Sequence, residues 1–184
     1  GIARLLLPMA PEYQDDIRRF ANEATGFDVQ FGRLSASWPL HGPEIRFFDV
    51  EIRTRDGLRP VLDAAELSVG INLLQLITER RLLPGRVGVR QADVRIERLA
   101  DGKVLVNDVP LDELLRQRRS PQLPRLDLEL QDIAVLLRDA RRLVPDVSLM
   151  TRQLELRLAP DQVDFEGEVD GRDELGRSFE FAGT

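Results

Sequence analysis

Arg125-Leu126-Asp127-Leu128-Glu129-Leu130-Gln131 and Gln153-Leu154-Glu155-Leu156-Arg157-Leu158 decide the fold, because in both stretches every second residue is leucine and each intervening one is charged or carries an amide. Side chains of a strand point alternately to opposite faces, so a period of two gives each segment one apolar and one polar side. The pattern recurs at Val163, Phe165 and Val169, which alternate with Asp164, Glu166 and Glu168, and after an Asp170-Gly171 turn signal it closes with Phe179-Glu180-Phe181. Residues 134–144 are ambiguous: Ala134-Val135-Leu136-Leu137 either continues the strand that begins at Leu126 or starts a loop or helical turn.

Working back toward the start, Phe27, Val29 and Phe31 alternate with polar residues, as do Leu34, Ala36 and Trp38. Ile45 and Phe47 then lie in one phase and Phe48, Val50 and Ile52 in the other, which predicts a bulge near Phe47-Phe48. Asp56-Gly57 reads as a hairpin turn and 61–71 as the return strand, with Leu67, Val69 and Ile71 inward. Further strands are predicted at 87–89, 92–96 and 104–106, with a turn at Asp101-Gly102. Helical spacing appears in three places: at 11–24 through Tyr13, Ile17, Phe20, Ala21 and Ala24, at 73–83 behind Asn72, and at 111–118 between Pro110 and Pro121.

Composition bounds the possibilities. At 184 residues, 42% hydrophobic and 32% charged, the chain suits one folded domain, here read as a helix-capped part at 1–85 and further strands at 86–184. No apolar run approaches the roughly 18 residues that cross a bilayer. Cysteine is absent, which excludes disulfides and thiolate metal sites, and one histidine, His41, would have to serve any histidine-based triad or metal site. A net charge of −6, with arginines scattered among acids, argues against nucleic acid as a partner.

The carboxylate neighbours Asp15-Asp16, Asp112-Glu113 and Asp173-Glu174 read as first-turn helix acids and a solvated turn rather than an acid–base pair. His41 sits in a proline-flanked loop, Pro39-Leu40-His41-Gly42-Pro43, and reads as an exposed loop residue. Trp38, at the end of an alternating strand, reads as a core plug rather than an interfacial membrane anchor. Arg18-Arg19, Arg80-Arg81, Arg118-Arg119 and Arg141-Arg142 read as solvated helix faces and ends rather than lipid headgroup sites. No glycine-rich phosphate loop or nucleophile elbow is present. The expectation is a protein without enzymatic activity, cofactor or metal.

About nine or ten strands face about three helices, and a helix roughly 10 Å wide laid along strands about 4.8 Å apart hides about two of them. The apolar faces after Leu126 therefore lack an obvious lid. Either the sheet folds onto itself around a plain core, or it presents an apolar trough. The last strand ends at Gly183-Thr184 with no charged gatekeeper, so a continuing chain is expected to pair there.

Leu6-Leu7-Pro8, the following helix, Gly26-Phe27-Asp28-Val29, Gly32-Arg33-Leu34-Ser35-Ala36-Ser37-Trp38, Pro43-Glu44-Ile45 and Phe48-Asp49-Val50-Glu51-Ile52 together resemble the start of the AsmA-like proteins, in their YhdP branch. The resemblance extends through Leu73-Leu74 and Val94-Arg95-Ile96-Glu97-Arg98 to Asp173-Glu174-Leu175-Gly176-Arg177-Ser178-Phe179-Glu180-Phe181, and departs around His41. It implies a segment of a large Gram-negative envelope protein, held to the inner membrane by a helix before Gly1 and otherwise periplasmic. It also implies kinship with chorein-type bridge proteins, in which phospholipids pass along an apolar groove toward the outer membrane. The expected fold is then α+β: a curved, mostly antiparallel sheet forming an open apolar groove, with about three short helices capping or flanking it. The expected lipid-binding wall is Leu126, Leu128, Leu130, Leu154, Leu156, Leu158, Val163, Phe165, Val169, Phe179 and Phe181. Expected partners are phospholipids, the inner membrane through that absent helix, and other envelope proteins. The competing reading is a closed-core periplasmic scaffold that binds a protein partner by edge-strand pairing.

Overall fold

The alternating segments pair into one sheet. The computed structural model describes residues 11–40, 42–72, 77–78, 84–118, 126–141, 146–158, 163–171 and 178–183. Along the chain these form α1 (Pro11–Thr25), β1 (Asp28–Gln30), β2 (Arg33–Ser37), β3 (Glu44–Arg53), β4 (Pro60–Ile71), β5 (Pro84–Arg98), β6 (Val104–Val106) and β7 (Val109–Pro110). They continue with α2 (Leu111–Arg118), β8 (Leu126–Asp139), β9 (Val147–Leu158), β10 (Val163–Gly171) and β11 (Ser178–Gly183). The sheet runs β1-β3-β4-β5-β8-β9-β10-β11, with β2 continuing β1 along β3, and β6 and β7 attached beside β5. It is curved and does not close, so the described residues form no sandwich. All pairings are antiparallel except β5–β8, where β6, β7 and α2 carry the chain back to start a parallel strand.

Several expectations change. The segments 87–89 and 92–96 are one strand, β5, and the ambiguous stretch after residue 134 continues β8 as far as Asp139. Asp170 and Gly171 still belong to β10. Of the helix expected at 73–83, only residues 77–78 are described, and they are helical; His41 lies outside the described residues. A short hairpin, β6–β7, had not been anticipated. Its two turn residues, Asn107 and Asp108, both have positive φ, 47° and 67°, as a tight primed turn requires.

The phase conflict in β3 resolves as a crease that crosses the sheet. The pairs Phe48–Glu66 and Val50–Ala64 share one register, so β3 does not slip against β4 at this level. Instead β4 changes phase at the same height. Buried positions are Phe47 and Val50 in β3, Leu67 and Ala64 in β4, Val89 and Ala92 in β5, each pair separated by two residues rather than one. Asp49, Gln91 and Asp132 sit at this line with φ of 55°, 54° and 54°, and each is exposed. Two consecutive residues of each strand thus face the polar side, and the buried set keeps to one face above and below. Only at β9–β10 does the line appear as a register shift, between Glu168 and Val169.

The core lies between one sheet face and α1. Phe20, Ala21 and Ala24 of α1 are buried together with Val29, Phe47, Leu67, Val69, Val87 and Val89. α1 touches both β1 and β5, so of the two expected placements, capping or flanking, it takes the flanking one and covers a face. A 15-residue helix is about 22 Å long, and β1 to β5 are three spacings, about 14 Å, so a helix laid across strands covers more of them than one laid along them. Its end is fixed locally: Gly26 (φ 80°) returns its N–H to the Asn22 carbonyl at 2.8 Å, and the Asn22 side chain accepts the Val29 N–H at 2.8 Å. α2 packs on β6 and β7 through buried Leu114, and its Glu113 pairs with Arg59 beside β4.

Candidate functional site

The register lines the apolar residues up in rows that cross the strands. One row runs Ala36, Ile45, Val69, Val87, Leu128, Leu156, with Phe165 as its next register position. The adjacent row runs Leu34, Phe47, Leu67, Val89, Leu130, Leu154, then reaches Gly167 and Phe181. Leu126, Leu158 and Val163 are aligned in an outer row. Beyond the crease, Val50, Ala64, Ala92, Ile133 and Thr151 lead to the positions of Val169 and Phe179.

Burial falls along the Ile45–Leu156 and Phe47–Leu154 rows, whereas beyond the crease Val50, Ala64, Ala92, Ile133 and Thr151 all stay buried. Phe47 and Leu67 are fully buried and Val89 is 5% exposed, whereas Leu128 and Leu130 of β8 and Leu154 and Leu156 of β9 are only partly buried. The main contacts of α1 are with β1 and β5, and those of α2 with β6 and β7. The half-buried leucines of β8 and β9 therefore lie beyond the strands on which α1 makes its main contacts.

The opposite face is wet, and its charges are matched. Arg46 contacts Glu44 at 2.5 Å and Glu66 at 3.6 Å, Arg86 meets Glu129 at 3.4 Å, and Arg90 donates to Gln131 at 2.6 and 3.1 Å. Glu44 is nearly buried and also accepts from the Ser37 hydroxyl at 2.9 Å. From β3 to β8 the open sheet is therefore amphipathic, with one face oily and the other a lattice of ion pairs and charge–amide hydrogen bonds.

That combination of open curved sheet and ordered apolar rows belongs with a family match: the YhdP protein family matches residues 1–179. The chain belongs to the YhdP family. No curated protein and no solved structure matches it.

In this YhdP-family chain the wall residues expected from the sequence fall into neighbouring rows, which alternation within single strands left undetermined. Sequence reading missed the extension of those rows through Val87, Val89 and Ile133, and the interruptions at Thr151 and Gly167. The signal for the first was present, since Val87 and Val89 alternate as clearly as the leucines do. The crease hid Thr151, which occupies the apolar face only after the phase change between it and Leu154, whereas Gly167 stands in plain alternation with Val163 and Phe165.

Other candidates resolve separately. Asp15 and Asp16 face Arg18 and Arg19 at 3.8 and 3.3 Å, and Asp173-Glu174 lies outside the described residues. Among the described residues no group of three His, Cys, Asp or Glu side chains is placed to hold a metal, and no helix is long and apolar enough to cross a membrane. Trp38 is not a core plug. It is 66% exposed, because β2 ends at Ser37 and carries its ring beyond the last paired position.

Proposed function

We propose that this domain is a segment of a periplasmic lipid-conducting bridge, anchored to the inner membrane in the full-length protein, in which phospholipid acyl chains lie along the rows of β8 to β11 and move parallel to the sheet surface. The observation that carries the reading is the continuation of the Leu130–Leu154 and Leu128–Leu156 rows, only half-buried, past the strands on which α1 makes its main contacts, on a sheet whose other face is ionic. Membership of a family associated with envelope lipid transport supports it. Burying each CH₂ is worth about 0.8 kcal/mol, and neighbouring leucine and phenylalanine positions offer similar energies, so a tail is held without being fixed at one point. Headgroups stay in water at the open side. No bond is made or broken, and no cofactor is needed.

Native mass spectrometry of the purified chain tests this. Copurified phospholipid is expected, and Leu156→Glu should remove it while leaving the melting transition in place. A lipid-free chain that instead gains a protein partner along β11 would replace this reading with the scaffold. If Leu156→Glu unfolds the protein outright, Leu156 is core.

A further inference from the structure

The loop between β2 and β3 and the segment between β4 and β5 leave the same end of the sheet: Glu44 pairs with Gly70, Ile71 pairs with Pro84, and the Ile71 N–H donates to the Pro43 carbonyl at 2.9 Å. From these two connections project Trp38, Leu40 and Ile77, which are 66%, 109% and 76% exposed. Single exposed apolar side chains are ordinary, but three large ones, each two-thirds or more exposed, at one end of a folded sheet mark a contact surface. The stretch Trp38-Pro39-Leu40-His41-Gly42-Pro43 contains no Asp, Glu, Lys or Arg in a chain that is 32% charged, so entering an apolar phase would desolvate no formal charge there. Tryptophan suits the boundary between headgroups and acyl chains, having an apolar ring and one N–H donor.

This end is also where the outer row of the apolar face lies. Leu126 pairs with Leu158, and Leu158 with Val163, at the margin of the sheet reached by the same strand ends. We propose that this end of the sheet inserts into the interfacial layer of a phospholipid bilayer through Trp38, Leu40 and Ile77, placing the mouth of the apolar rows against the membrane. The inference deepens the lipid-bridge reading by identifying the end at which lipid enters.

Trp38 is the chain's single tryptophan, so its fluorescence reports this site alone. With vesicles of phosphatidylethanolamine and phosphatidylglycerol, the expected result is a blue-shifted emission that is quenched by acyl-brominated lipid and persists at high salt. Leu40→Asp and Ile77→Asp should each weaken vesicle binding by about tenfold or more. Leu156→Glu should leave Trp38 quenching unchanged while abolishing copurified lipid, so failure of the bridge reading is distinguishable from failure of this one. Absence of both blue shift and quenching, or quenching indifferent to Leu40→Asp and Ile77→Asp, overturns the insertion. A blue shift produced by a protein partner but not by vesicles overturns it too, and assigns the end to a protein contact.

Discussion

Gln91 and Asp132 stand level with each other in the neighbouring parallel strands β5 and β8, between the register pairs Arg90–Gln131 and Ala92–Ile133, and both hold φ at 54°. Asp49 repeats the conformation two strands away. Positive φ strains any residue with a Cβ and is worst for a β-branched one, whereas strand propensity normally favours β-branched side chains. At this line the two rules oppose each other.

Asp132→Val and Gln91→Val should therefore destabilise the chain by about 1–2 kcal/mol each, although both place a strong strand former in a strand. Asp132→Gly should cost much less. Urea midpoints check this, and a stabilising Asp132→Val would show that the crease does not constrain the backbone.

The gradient of burial along one row gives a second test. Leu67 is fully buried beneath α1, and Leu67→Ala should cost about 2–5 kcal/mol through lost transfer energy and a cavity. Leu154, two strands further from the helix than Val89, should cost only about 1 kcal/mol as Leu154→Ala, since its removal opens no closed cavity. Chemical denaturation of the two variants measures the difference.

Asn107 fills the gap where β4 parts from β5 beyond the Ala64–Ala92 pair and β6 takes its place. Its side-chain amide donates to the Val61 carbonyl at 2.6 Å, and its side-chain carbonyl accepts the Arg95 N–H at 2.7 Å. Asn107→Gly keeps the positive φ and removes both bonds, so its expected loss of about 1–3 kcal/mol isolates the cost of leaving those backbone groups unpaired. A near-neutral Asn107→Gly would mean that water satisfies them.

The β3–β4 turn holds a carboxylate whose protonation should weaken it. The Thr54 hydroxyl and then the Leu58 N–H donate to Asp56, holding its carboxyl below its ordinary value of 3.8, with Arg59 adding attraction. A carboxyl lowered in the folded state contributes stability that is complete above the unfolded value and disappears as pH falls through the folded one. The stability difference between the native chain and Asp56→Asn should accordingly be constant near neutrality and shrink once pH drops below 3.8. An unchanged difference in acid would remove Asp56 from the turn's support.

Much of this architecture was legible because alternation is a local property. Leu126 to Leu130 and Leu154 to Leu158 are strands whatever surrounds them, and Pro11–Thr25 has helical spacing and a Gly26 stop. Even the phase conflict around Phe47 and Phe48 was visible. Its resolution was not, since one strand in isolation is repaired by a bulge, while matched phase changes in β3, β4 and β5 keep their mutual register intact. Trp38 misled for a related reason: its place in the alternation was real, but pairing ends one residue earlier.

The sequence by itself determined which faces are oily, where turns fall and that histidine or cysteine chemistry has little to work with, because each of these follows from residue identity and short-range spacing. Only the tertiary structure decided that β5 and β8 run parallel, that α1 lies across the strands against β1 and β5, and that the leucines of β8 and β9 share rows with the core of β3 to β5. Those outcomes depend on which distant segments meet, and contact between segments far apart in the chain is set by how the whole set of apolar faces can be buried at once.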